Sequence, residues 1–333
     1  MITIKDIAAR AGVSFSTVSK ALRNSPLVQD STKRLIMDIA EEMGYRPNIA
    51  ARKLVSKKSG AIGVVWPSIE RTAPSSLLTI INAELELSGY TTLLSINRLE
   101  SAIEIFHRFQ VDAILVFGDH SGQASRLASL AASIPILIYG SGIHLPFMTV
   151  DVNRSKATRL AVGHLIEIGH RRIGYIGRPE QPDPLQLEKI DAFRAEMKRY
   201  GAPCPEDCIV PIQGMEYHDG YAAAKQLLQS SNPPTALISG SFDLTRGILK
   251  AITEIGLTVP RDLSVVSYDN IPQMSDLDIP MTVVGVEIQH TAQQISGTLI
   301  AMLDAPFSEK TLMLEPELIV RASTAPHQEI HQG

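Results

Sequence analysis

The sequence predicts an α/β protein that carries a small helical head. Three observations point there. Residues 1–60 read as three short helices. From Ala61 onward, short apolar runs alternate with helical stretches. The charge divides at the same place. Residues 1–60 hold eleven Lys and Arg against five Asp and Glu, a surplus of +6 that leaves −10 on the rest of a chain whose formal net charge is −4. A basic head on an acidic body suits a head that meets phosphate while the body does not. At 333 residues the chain exceeds one small core, so two or three domains are expected.

The first helix starts at Thr3-Ile4-Lys5-Asp6. Thr3 can cap it, and Asp6 stands where a carboxylate meets the free N–H groups. Ile7, Ala8 and Ala11 supply an apolar face, and Gly12 permits a tight turn. Ser14 can cap a second helix with Val18, Ala21 and Leu22 facing inward. That leaves Phe15, Ser16, Thr17, Ser19 and Lys20 on or near the outer face. Two short helices joined by a glycine turn, the second offering a polar face, are what a helix-turn-helix reader of DNA requires; an ordinary helical hairpin is the plainer alternative. Asp30-Ser31-Thr32 is expected to cap a third helix with Leu35, Ile36, Ile39, Ala40 and Met43 on one side, stopped by Gly44.

At Gly44-Tyr45-Arg46-Pro47-Asn48 the sequence resembles the lactose and purine repressor (LacI/GalR) family of bacterial transcriptional regulators, most of all its lactose-repressor branch. The matching stretches are Thr3-Ile4-Lys5-Asp6-Ile7-Ala8, Ala11-Gly12-Val13-Ser14 and Thr17-Val18-Ser19, and later motifs extend the resemblance over nearly the whole chain. It implies a helix-turn-helix domain at 1–46 and a hinge helix and linker at 47–60. A ligand-binding and dimerisation core at 61–325 and a tail at 326–333 follow. Within the head and hinge, the resemblance assigns DNA contacts to Thr3, Ser14, Phe15, Ser16, Thr17, Ser19, Lys20, Arg23, Asn48, Ala51 and Leu54. Phe15, Ser16 and Lys20 match base-reading positions, and Arg23 is expected on phosphate. In the family the hinge folds on operator DNA and wedges a leucine into the minor groove; Leu54 holds that place.

In the body, the apolar runs are Ala61–Trp66, Thr91–Ile96, Ala113–Phe117 and Pro135–Tyr139, then Arg172–Gly177, Thr235–Ser239 and Leu263–Tyr268. Near-continuous apolar strands separated by helices indicate parallel sheets covered on both faces. Two series suggest two doubly wound lobes, and ligands bind beyond the carboxyl ends of such strands. The resemblance implies the periplasmic-binding-protein-like type, with an N-lobe at about 61–154 plus 286–310 and a C-lobe at about 155–285 plus 311–325. His164 to Ile173, Gly256 to Asn270 and Ile319 to Thr324 are its signatures there. His164 and His170 invite a metal reading, but no convergent carboxylate or thiol set accompanies them. No metal or cofactor is expected. Cys204 and Cys208 are read as loop and strand-start residues.

The resemblance also implies the effector site. Ala73, Pro74 and Ser75 follow the first core strand, where the lactose-repressor branch has part of its sugar pocket; Ser75 as a plain helix cap is the alternative. Lys189 replaces a usual arginine and offers a point charge instead of a planar fork. Ser241 and Phe242 replace an Asn-Asp pair, and the ring is expected against the carbon face of a sugar or a base. Asp269 is expected to accept from ligand hydroxyls, or else to act as a capping residue.

The function expected is a ligand-responsive, sequence-specific DNA-binding regulator, a repressor of sugar-utilisation genes released by a sugar or glycoside. A purine-like corepressor, or activation, is the alternative. An enzyme is not expected: no Gly-x-Gly-x-x-Gly follows the first core strand, and neither a phosphate-binding loop nor a nucleophile elbow occurs. A periplasmic solute receptor fits the lobes but not the basic head. No apolar run approaches the ~20 residues of a membrane span and the N-terminus is polar, so a cytoplasmic protein is expected. The partners expected are pseudo-palindromic operator DNA, a small effector and a second copy of the chain. A tetramer is not expected, because no leucine-heptad helix follows Pro326.

Overall fold

The computed structural model describes residues 2–22, 25–45, 58–66, 68–118, 127, 134–141, 147–304 and 310–327. The chain divides into two units, Met1–Ser59 and Gly60–Gly333.

The first unit holds helices α1 (Ile4–Ala11), α2 (Phe15–Ala21) and α3 (Asp30–Glu42). Thr3 and Asp6 close a capping box at the start of α1, and Gly12 turns the chain at φ 66°. That left-handed turn is what glycine makes cheaply. Ser14 caps α2 by accepting from the Thr17 N–H at 3.1 Å. Ile7, Val18, Ala21, Val28, Ile36 and Ile39 bury the one face that each helix turns inward. The start of α3 departs from expectation. Gln29 is the cap position, Asp30 is already helical, and its carboxylate receives Lys33 at 3.1 Å.

In the second unit, the first sheet contains β1 (Ala61–Val65), β2 (Thr91–Ser95), β3 (Ala113–Phe117), β4 (Ile136–Tyr139), β5 (Met148–Val152) and β11 (Thr311–Leu314). Their order is β11-β5-β4-β3-β1-β2. The second sheet contains β6 (Ile173–Pro179), β7 (Ile209–Ile212), β8 (Ala236–Ser239), β9 (Ser264–Asn270), β10 (Thr282–Glu287) and β12 (Glu317–Ile319). Its order, β12-β10-β9-β8-β6-β7, repeats the first pattern. Among the described residues every pairing is parallel except β10 with β12. Helices α4 (Thr72–Leu87) and α5 (Leu99–Phe109) belong to the first lobe, and α6 (Arg154–Glu167), α7 (Pro184–Arg199), α8 (Tyr217–Leu228) and α9 (Phe242–Ile255) to the second. Helix α10 (Ile288–Asp304) packs on α4.

The return to the second lobe comes later than expected. Residues 311–325 were assigned to the C-lobe, yet β11 extends the first sheet by pairing with β5. The open edge of β5 offers backbone partners that β11 takes, so the crossing falls between Leu314 and Glu317. Likewise Val286 and Glu287 end β10 in the second sheet instead of opening the N-lobe segment. The paired histidines have structural work. His170 Nδ1 lies 2.9 Å from the Thr235 hydroxyl, and its Nε2 lies 3.0 Å from Ser264 Oγ and 3.1 Å from the Ala325 carbonyl. His164 Nε2 lies 3.0 Å from the Thr324 hydroxyl. Together they pin the C-terminal segment to the second sheet. Among the described residues no cluster fit for a metal ion occurs, and no helix is long and apolar enough to cross a membrane.

Candidate functional site

Two faces carry the candidate residues, one in each unit. On the head, burying Val18 and Ala21 turns the opposite side of α2 outward. Phe15 is 53% exposed, an open apolar ring on a polar face. Ser16 and Lys20 are exposed, while Thr17 and Ser19 are half-buried. The Ser14 hydroxyl lies 2.8 Å from both the Ser16 and Thr17 hydroxyls, which gathers three hydroxyls at the start of the helix. Thr3 is committed locally, its hydroxyl donating to Asp6 at 2.7 Å. That bond, with the Thr3 N–H behind it, holds Asp6 below the usual carboxylate range. Arg23, Asn48, Ala51 and Leu54 lie outside the described residues.

In the second unit a cavity of about 540 Å³ opens at the carboxyl ends of strands from both sheets. Phe117 and Tyr139 end β3 and β4; Tyr268, Asp269 and Asn270 end β9. Helix starts complete the walls, with Arg71, Ala73 and Pro74 at α4 and Asp183 and Gln186 at α7. Of the seven expected effector residues, Ala73, Pro74, Lys189 and Asp269 line this cavity.

The other three do not. The Ser75 hydroxyl donates to the Ile69 carbonyl at 2.6 Å and acts locally at the helix start. Ser241 is fully buried and caps α9 by accepting from the Leu244 N–H. Phe242 is 5% exposed and packs its ring into the apolar core, so it offers no face to a ligand. The pair opens a helix. Ser241 turns back over the free N–H groups, and Phe242 takes the inward side of the first turn. Its backbone still serves the site, because the Phe242 N–H donates to Asp269 Oδ2 at 2.9 Å.

Lys189 and Asp269 form the polar centre. The Lys189 ammonium lies 3.5 Å from the centre of the Tyr268 ring and donates to the Gly240 carbonyl at 3.2 Å. Burial pulls it down to about 7, against the pull of Asp269. Burial also raises Asp269, against Lys189 and Arg71. Both shifts favour the neutral forms of a pair kept from water. Asp269 stands at φ 82°, an unusual conformation for a residue with a side chain.

Sequence reasoning missed the aromatic wall and most of the charge network. Phe117 stacks on Trp66 at 4.4 Å between ring centroids, and Tyr139 tilts against Phe117 at 5.6 Å. All three end strands already visible in sequence, so an aromatic at a strand's carboxyl end was the available signal. Arg154 is buried and paired with Asp151 at 2.6 Å and Glu188 at 3.4 Å. Although burial opposes its charge, the adjacent Asp151 keeps Arg154 above its ordinary range. Nothing local marked it. Thr72, between lining residues Arg71 and Ala73, joins the lobes: its N–H and hydroxyl donate to Asp243 at 3.0 and 2.7 Å.

Residues 3–48 match the family described as bacterial regulatory proteins, lacI family. Residues 162–324 match the periplasmic binding protein-like domain. The chain is similar to the HTH-type transcriptional regulator MalR of Streptomyces coelicolor, 30% identical over 341 residues, covering 97% of this chain and 96% of that one. It is similar to the HTH-type transcriptional repressor PurR of Mannheimia succiniciproducens, 27% identical over 334 residues, covering 97% and 98%. A solved lac repressor dimer, bound to operator and the anti-inducer ONPF, shares the fold with a TM-score of 0.85 at 24% identity, covering 97% of this chain and 99% of that one. With the head matched, the core matched and the likeness to MalR running nearly end to end, the chain belongs to the LacI family of bacterial regulatory proteins.

Proposed function

We propose that the protein is a sequence-specific DNA-binding repressor whose hold on its operator is lowered by a sugar or glycoside bound between the two lobes. The observation that carries this is one cavity lined from both lobes, beside the Thr72–Asp243 link between them. A ligand that touches both walls binds one lobe geometry better than another, and only such a difference shifts a conformational equilibrium. An aromatic wall facing a carboxylate suits a polyol, with carbon faces on the rings and hydroxyls on Asp269. The reading involves no catalytic step and places the protein in the cytoplasm.

The head reads too few base pairs alone to select a locus, so two heads must act together on a pseudo-palindrome. The core supports pairing through exposed apolar side chains at the end of α4 and along edge strand β2, with Leu87 86% exposed and Leu94 and Ile96 beside the same strand. In this dimer, lobe closure changes the separation of the segments at 47–60, and with it the joint entry of both Leu54 wedges into the minor groove. The names of relatives agree with this scheme. One solved relative of similar fold is a CelR–cellobiose complex, and the lac repressor dimer holds operator and anti-inducer.

A purine corepressor is the second reading, favoured by Phe117, Tyr139 and Tyr268 around one cavity and by the likeness to purine repressors. Titrating sugars and purines against the protein–operator complex in a mobility-shift assay tests both. Release of DNA by a sugar is the expected result; tightening by a purine reverses both ligand class and sign.

A further inference from the structure

Most charged groups lining the cleft already have a partner. Arg154 is held by Asp151 and Glu188. Asp183 accepts from the Leu185 N–H at 2.9 Å and caps α7. Asp269 takes the Phe242 N–H, and Lys189 rests between the Gly240 carbonyl and the Tyr268 ring. Arg71 is different. It stands at the cap position of α4 on the first lobe and lines the cavity. Its Nε is buried with no hydrogen-bond partner among the described residues. Across the cavity, Gln186 is 5% exposed, and its Oε1 is also buried without a partner.

These two unmet groups ask for opposite things. The Nε–H of a guanidinium lacks an acceptor, and an amide oxygen lacks a donor. Leaving a buried guanidinium N–H without an acceptor is costly, and a hydroxyl returns less than an anion does. The guanidinium fork matches a planar carboxylate with two parallel bonds. A phosphate suits the cavity less well, because Asp183 lines it too and repels a dianion more than a monoanion.

We propose that the effector is a carboxylated saccharide of the uronic or aldonic acid class, with its carboxylate on Arg71 and a hydroxyl donating to Gln186. The proposal rests on the saccharide reading of the cleft and makes Arg71 the residue that selects acid over neutral sugar.

Trp66, the chain's single tryptophan, is stacked on cavity-lining Phe117 and reports binding by its emission. The full-length protein is titrated with galacturonate, glucuronate and gluconate, each beside galactose or glucose, and with glucose 6-phosphate, hypoxanthine and guanine. Calorimetry provides a second readout. The expected result is an acid binding at least about tenfold tighter than its neutral parent, in line with a charge-assisted hydrogen bond. Arg71→Gln should bring that ratio close to one, and Arg71→Lys should restore part of it. Circular dichroism of both variants confirms that the core is folded. Neutral sugars binding as tightly as acids, a ratio unmoved in Arg71→Gln, or preference for glucose 6-phosphate overturns the carboxylate assignment and leaves the saccharide reading standing. Binding by a purine alone, or by none of these compounds, removes the saccharide reading and this proposal together.

Discussion

Phe15 and Lys20 lie open on the head, while Lys189 in the cleft is 4% exposed and Asp269 hangs its carboxylate on a backbone N–H from another element. Of the head's candidate residues, Thr3 and Ser14 cap helices, while Phe15, Ser16 and Lys20 stand exposed on the outer face. Those of the cleft are part of its packing and charge balance. Substitutions at Phe15, Ser16 and Lys20 should therefore separate function from stability, whereas substitutions in the cleft should disturb both. The head is also the smaller body, and small bodies bury too little surface to tolerate loss inside their core.

The sharpest test of that contrast is Ile36→Ala, since Ile36 is fully buried between the head helices. A loss of about 2–5 kcal/mol is expected, enough to unfold a marginal domain and abolish operator binding. Calorimetry should show the core transition unmoved; a core transition that falls with it means the two units do not unfold independently.

Asp269→Ala comes next. It strands the Phe242 N–H and removes the carboxylate beside Lys189. Effector binding should weaken by about 1–3 kcal/mol, the cost of leaving a buried ligand hydroxyl without its partner. Operator affinity without effector should hold. A variant that still responds normally in the mobility-shift titration takes Asp269 out of the site.

Lys20→Ala probes the opposite side of the comparison. A cost of about 1–3 kcal/mol in operator affinity is expected, confined to one base pair, with no change in melting because the side chain is exposed. Uniform weakening across operator variants assigns Lys20 to phosphate instead.

The smallest effect is pH. Burial holds His170 below its ordinary value, so the unfolded chain binds the proton first as the pH falls. Core stability is then full above about 6.5, the unfolded value, and declines as the pH drops through the folded one. The head contains no histidine. Between pH 7 and about 5.5 the core melting temperature should fall relative to that of the head. Equal shifts in both transitions erase the distinction.

Local chemistry made the head legible: Thr3 with Asp6, the Gly12 turn, the Ser14 cap and one apolar stripe per helix all act within a few residues. Six core strands were visible because a strand buried on both faces must be apolar throughout, and the partly exposed edge strand β2 was visible as a short run of Thr and Leu. Strands β5, β7, β10, β11 and β12 were not singled out; β7 carries a proline, and β11 and β12 are short and partly exposed.

By itself the sequence determined the head, the alternation of strand and helix and the place where charge divides, since these follow from neighbours in the chain. Tertiary structure decided the cleft. Whether β11 joined the first sheet or the second depended on which edge lay open. Whether Phe242 faced a ligand or the core depended on how the start of α9 packed. Arg71 and Gln186 lie 115 positions apart, and neither stretch signals the other. Only when both lobes fold do their helix starts line one cavity, because a site at strand ends is assembled by the sheets and not by any one segment.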